Sequence, residues 1–188
     1  MSVRGLAAPG GAGRETTGAG AIAFTDIVGF TELTELHGDD AALALVDRQT
    51  SLTREVLPPA SRIVKEIGDG LLLWFDDPVD ALCTALTVQE HLAESALGDE
   101  LPLWVRIGVH WGAPKRRGDD LIGHDVNLAS RVTGLAGPGE VLCTGAVVDA
   151  LGGAAAVAGV RIEFVGATYV KGLAAPVPVH AVTRSSTP

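Results

Sequence analysis

Two aspartates and one polar pair in this 188-residue chain stand at spacings that could handle phosphate chemistry. Asp26 sits in Phe24-Thr25-Asp26-Ile27-Val28-Gly29-Phe30-Thr31, at the end of an apolar run and just before a helical pattern. The backbone amides of a helix start can hold anionic oxygens, so phosphate and metal could meet there. Asp69 sits in Lys65-Glu66-Ile67-Gly68-Asp69-Gly70, a turn with glycine on both sides. Carboxylates at the loop ends of two adjacent strands can bind a pair of divalent ions through oxygen. Mg2+ suits them, because it leaves room for substrate phosphates. Further on, Asn127 and Arg131 lie four residues apart, on one face of a helix beside the apolar Val126, Leu128, Ala129 and Val132. Taken singly, each group has a plainer use. A strand-end Asp caps a helix, an Asp between glycines makes a turn, and an Arg on an exposed face is simply solvated.

The elements that must position these groups follow from periodicity. Residues 20–27 form a short, β-prone apolar run. From Gly29 to Leu57, Phe30, Leu33 and Leu36, then Ala42, Leu45, Val46, Leu52 and Val56, recur at helical spacing. That stretch breaks near His37-Gly38 and stops at Pro58-Pro59. Strands are expected over 60–66 and 70–75, joined by a tight turn that carries Asp69. Asp76-Asp77-Pro78 caps a helix from about Val79 to Leu97, with its stripe at Ala81, Leu82, Ala85, Leu86 and Val88. A strand over 102–112 leads to a basic loop at 113–119, where Lys115-Arg116-Arg117 reads as a solvated hairpin tip. A helix from Asp125 to Leu135 stops at Gly137-Pro138-Gly139. A strand at 140–144, a short helix at 144–151 and strands over 160–166 and 176–183 finish the chain. The order implies an α/β (α+β) sandwich of the ferredoxin-like, split βαβ palm type, with a mixed, mostly antiparallel sheet and flanking helices. Such an architecture names no function.

Composition narrows the field. With 47% hydrophobic and 20% charged residues, the chain reads as one globular domain over 20–183, between tails at 1–19 and 184–188. No apolar stretch reaches the roughly 18 residues a membrane helix requires, and the N-terminus lacks the apolar middle of a signal peptide. Cys83 and Cys143 form no CxxC pair and read as small buried thiols. A cytoplasmic location fits these features. The net charge of −9 argues against a nucleic-acid binder. No GxxxxGK(S/T) loop is present, which removes an ordinary P-loop ATPase.

The motifs gain meaning from their order. FTDIVGFT, then KxxGD about forty residues later, then RIGVHWG, DxxGxxVNxASR and TYVKG follow one another over roughly residues 20–182. Together they closely resemble the class III adenylyl and guanylyl cyclase catalytic domain. The resemblance implies a homodimer with two active sites, each drawing on both chains, and two Mg2+ or Mn2+ ions per site. Asp26, with Ile27 beside it, and Asp69 match the metal-binding positions. Arg106 matches a phosphate-binding arginine contributed from the metal side. From the other protomer, Asn127 and Arg131 match the pair that orients the ribose and stabilises the transition state. Lys171 matches a lysine on the nucleotide phosphates, and Lys65 and Asp120 match the two base readers.

Elementary chemistry agrees with those roles. Cyclisation requires in-line attack of a 3′-hydroxyl on the α-phosphorus, with loss of pyrophosphate. Metal ions can activate the hydroxyl and neutralise the leaving phosphates, while Arg131, Arg106 and Lys171 suit the growing negative charge. Adenine presents an acceptor at N1 and a donor at N6, which Lys65 and Asp120 complement; guanine presents the reverse. ATP is therefore the expected substrate. Lys65 and Asp69 serve different sites in this scheme, so one chain alone could not complete either. A cyclase-like domain without turnover usually lacks one of these residues, and none is missing here. A diguanylate cyclase would carry GG(D/E)EF, which is absent. His110, His124 and Asp125 receive no role, and Trp111 is expected to pack.

Overall fold

The structure, a computed structural model, describes residues 18–95, 101–152, 156–157, 159–170 and 175–185. Most of the expected N-terminal tail therefore lies outside the described residues. Strand β1 (Gly20–Ile27) leads into α1 (Phe30–His37) and α2 (Asp39–Val56), with the break at Gly38 as expected. The hairpin follows as β2 (Arg62–Ile67) and β3 (Gly70–Phe75). Helix α3 (Pro78–Ser95) starts where Asp77 Oδ1 accepts the Val79 and Asp80 backbone amides at 2.6 and 3.3 Å. Its expected end at Leu97 lies outside the described residues.

Strand β4 (Val105–Gly112) begins three residues later than expected. The basic run then departs from expectation. Lys115–Arg117 is not a hairpin tip but strand β5, paired antiparallel with β6 (Asp120–Ile122), and the turn falls at Gly118-Asp119. Helix α4 (His124–Thr133) ends two residues early, where the Gly134 N–H bonds to the Ser130 carbonyl. Leu135 is left exposed beyond it. Strand β7 (Val141–Thr144), α5 (Gly145–Ala150), β8 (Ala156–Val157), β9 (Val160–Thr168) and β10 (Val177–Arg184) complete the chain. Strand β8 was not foreseen, and β10 runs on through Arg184, whose guanidinium pairs with Glu90.

Eight strands form one sheet in the order β2-β3-β1-β4-β7-β10-β9-β8. Among the described strands only β4 and β7 pair in parallel. The sheet is thus mixed and mostly antiparallel, as the sequence implied.

Alternation along the strands sorts side chains onto two faces. Ala21, Ala23 and Ile27 of β1, with Val105, Ile107 and Val109 of β4, join the main core under α2 and α3. Trp111 packs partly buried against that core. The opposite face carries a smaller cluster of Ile22, Leu72, Trp74, Leu121 and Ala129, and α4 lies on it. Cys143 is buried and Cys83 only partly so; both are free thiols. No helix among the described residues is long and apolar enough to cross a membrane.

Candidate active site

Asp26 and Arg106 meet because β1 and β4 pair with these two residues directly opposite. Arg106 Nε donates to Asp26 Oδ2 at 2.6 Å, and Nη2 lies 2.6 Å from the same oxygen. Both side chains stay about one-third exposed, so the pair faces an open recess. That recess is a cavity of about 260 Å3 whose walls include Asp26, Arg106 and Gly70, closed by Ser130 and Thr133 of α4 and by Gly134 just beyond it.

Asp69 reaches the same corner from the β2–β3 turn, which Gly68 makes possible with its left-handed φ of 61°. Burial pushes the Asp69 carboxyl above its usual range, and the Asp26 charge adds to the rise. Hydrogen bonds from the backbone N–H groups of Asp69 and Ile27 pull the other way. Ile27 itself is buried in the core, so it can enter a metal set only through its carbonyl oxygen.

The donor set fits small hard cations. Two carboxylates repel one another here, and Arg106 supplies Asp26 with the positive charge that a cation would bring. Among the described residues, no group of three or more His, Cys, Asp or Glu is placed to hold a metal ion. Two carboxylates could serve Mg2+ or Mn2+, which need few of them when phosphate oxygens complete the shell.

Lys65 and Asp120 are 55 residues apart in sequence and bond to each other, Nζ to Oδ2, at 2.7 Å. The hydrogen bond from Lys65 holds the Asp120 carboxyl below its usual range. Asp120 Oδ1 also accepts the Leu121 backbone amide at 2.8 Å, and Arg62 Nη1 donates to the Asp119 carbonyl at 3.0 Å. With the two charged side chains 40% and 35% exposed, such a pair contributes at most about 1 kcal/mol to stability. Its value is alignment: a cationic donor and an anionic acceptor stand side by side.

Asn127 and Arg131 are exposed on α4 and do not line the recess around Asp26. Lys171 lies outside the described residues. One chain therefore brings together the carboxylates with Arg106, and separately the Lys65–Asp120 pair, while the α4 pair faces outward.

Several supporting residues escaped the sequence reading. Gln49 of α2 is fully buried and donates Nε2 to the Asp69 carbonyl at 3.1 Å, which fixes the turn. Thr25 Oγ1 accepts the Leu71 amide at 3.0 Å just beyond it. On β4 the residues facing α4 are Arg106, Gly108, His110 and Gly112. A Cβ on Gly108 would lie 2.5 Å from Thr133 Oγ1, and one on Gly112 would lie 2.5 Å from Asp125 Cγ. The alternating glycines of RIGVHWG were the available signal for a helix seated directly on the strand.

Comparison with known proteins gives a consistent result. The sequence profile of the adenylate and guanylate cyclase catalytic domain matches residues 14–183. A pH-sensitive adenylate cyclase of Mycobacterium tuberculosis is 36% identical over 166 residues, covering 88% of this chain and 41% of that protein. An adenylate cyclase of Streptomyces griseus is 35% identical over 131 residues, covering 69% of this chain and 32% of that protein. The chain thus spans only 32% to 41% of the length of these relatives. The crystal structure of the adenylyl cyclase CyaB from P. aeruginosa superposes with a TM-score of 0.73 at 25% identity, covering 92% of this chain and 97% of that one.

Proposed function

The chain belongs to the adenylate and guanylate cyclase catalytic domain family, and on that premise we propose that it converts ATP to 3′,5′-cyclic AMP and pyrophosphate at sites shared by two copies of itself. The observation that carries the choice of ATP is the Lys65–Asp120 contact at 2.7 Å. It presents one donor and one acceptor side by side, the pattern adenine complements and guanine opposes. Lys65 donates to N1 and Asp120 accepts from the N6 amine. The adenylate cyclases among its relatives support the same reading.

Each residue has a physical task. Asp26, Asp69 and the Ile27 carbonyl would hold two Mg2+ or Mn2+ ions, which would supply Lewis-acid activation of the 3′-hydroxyl and charge neutralisation for the leaving pyrophosphate. Arg106 exchanges its contact with Asp26 for a phosphate oxygen. Asn127 orients the ribose, Arg131 meets the charge that grows on the α-phosphoryl oxygens, and Lys171 binds the outer phosphates. The outward direction of Asn127 and Arg131 supports their service in a second chain's site. Every chain carries both halves, so a two-fold dimer has two complete sites.

The test is direct. The purified protein, given ATP or GTP with Mg2+ or Mn2+, is expected to release cyclic AMP and pyrophosphate from ATP. Chelation of the metal should stop the reaction. A dimeric preparation that cyclises neither nucleotide would overturn the proposal.

The base pocket has its own check. Lys65→Glu with Asp120→Gly leaves adenine facing unmatched groups, and a mismatch of this kind costs about 1–3 kcal/mol. The kcat/KM ratio of ATP to GTP should therefore fall by at least about fivefold. An unchanged ratio would remove both residues from the base pocket.

A further inference from the structure

Helix α4 begins without a side chain capping its first turn. Asp125, in that turn, could serve the helix's own amides but turns toward the sheet instead. Its Oδ2 accepts the Ala113 backbone amide at 2.8 Å, and its Oδ1 lies 3.6 Å from His110 Nε2. His110 is 6% exposed, and its Nδ1 lies 2.8 Å from Oγ1 of Thr144, which is 1% exposed. If Thr144 donates its hydroxyl proton to Nδ1, the ring proton sits on Nε2 and faces the carboxylate. The other tautomer would set a lone pair against an anion. The side chains thus run from the end of β7, across β4, to the first turn of α4. Gly112 leaves the space in which Asp125 sits.

We propose that Thr144, His110 and Asp125 are positioning residues that hold the first turn of α4 at a fixed height on β4, and so place Asn127 and Arg131 for the partner's site. The inference rests on the shared-site reading above. Asp125 is two residues from Asn127 and lies in the same helix as Arg131. A helix shift of about 1 Å at such a point can slow chemistry about a hundredfold. The Thr133 end of α4 is seated separately against Gly108, so Asp125 governs the other end.

The experiment uses Asp125→Ala in the full chain, with Gly112→Ala as a second variant that pushes Asp125 from its place without removing it. Asp125→Ala should lower kcat about a hundredfold while KM for ATP moves less than about threefold, because the pair it places acts on the transition state. Asp125→Asn, which can still accept the Ala113 amide, should recover most of kcat. Mixing then assigns the defect to one half-site. Asp125→Ala should regain activity with Asp26→Ala, whose α4 is intact, and gain none with Arg131→Ala. Gly112→Ala should follow the same pattern.

Parental kcat in Asp125→Ala overturns the inference. Rescue by Arg131→Ala, or by neither partner, also overturns it while Asp26→Ala and Arg131→Ala complement each other. If that control pair fails although heterodimers form, the shared site falls. The positioning role is then judged by the kcat–KM split, and an equal loss in both parameters refutes it.

Discussion

Asp26→Ala and Arg131→Ala chains, assayed separately, should each turn over ATP about a thousandfold more slowly than the parent, the scale of losing a transition-state charge partner. Mixed in equal amounts and allowed to exchange, they should regain about a quarter of the parental rate. Random pairing makes half the dimers mixed, and one of the two sites in each mixed dimer has both halves intact. The reason lies in the layout of one chain. Asp26 and Arg106 share a recess walled by Ser130, Thr133 and Gly134, while Arg131, on the same helix, is exposed and outside it. Cyclic AMP release from the mixture is the measurement. Heterodimers that form and stay inactive would show that the two residues serve a single chain.

Gly108→Ala should also be damaging, although glycine offers no side chain to the reaction. The added Cβ would fall 2.5 Å from Thr133 Oγ1 and 2.7 Å from Thr133 Cα, inside the contact distance of backbone that belongs to a helix. Overpacking of this kind destabilises by about 1–3 kcal/mol. For a chain of this size that lowers Tm by roughly 2–12 °C. Relief can come only from lifting α4 off β4, so cyclase activity should fall about a hundredfold even at temperatures where the variant is folded. Gly18→Ala, where an added Cβ meets nothing within 4 Å, is the control and should change neither quantity. Thermal unfolding and nucleotide turnover on the same samples check both statements. A Gly108→Ala protein with parental Tm and rate would mean that α4 has slack on the strand.

Much of the fold was legible because each early element carries a local signal. The helical spacing from Phe30 to Val56, the break at Gly38 and the Asp77 cap all reappear in place. The misses occur where pairing, rather than local pattern, decides. Lys115–Arg117 carries charge that reads as a loop, yet it is a strand because β6 supplies its ladder. The end of α4 was placed by the conspicuous Gly137-Pro138-Gly139, whereas the helix stops at the plainer Gly134.

The site divides in the same way. Asp26 and Asp69 could be picked out by residue type and turn context. Nothing in a separation of 55 residues could have shown that Lys65 and Asp120 touch, and only the family resemblance paired them. The seat of α4 was hidden differently. Glycine inside a strand reads as a weakness until the neighbouring layer is known.

The single parallel pairing among the described strands also fixes the length of a connection. Because β4 and β7 run the same way, the chain must return from one end of the sheet to the other, and α4 makes most of that crossover. Its ten residues are therefore a measured span as well as a catalytic surface. One inserted residue would swing Arg131 by about 100° around the helix axis and strain the register of β7 in the same stroke. The β5–β6 turn at Gly118-Asp119 lies outside that helical span, and it is held instead by Arg62 on the Asp119 carbonyl and by the Lys65–Asp120 pair beside it. Length variation within α4 should thus be poorly tolerated, because it would move Arg131 and the start of β7 together.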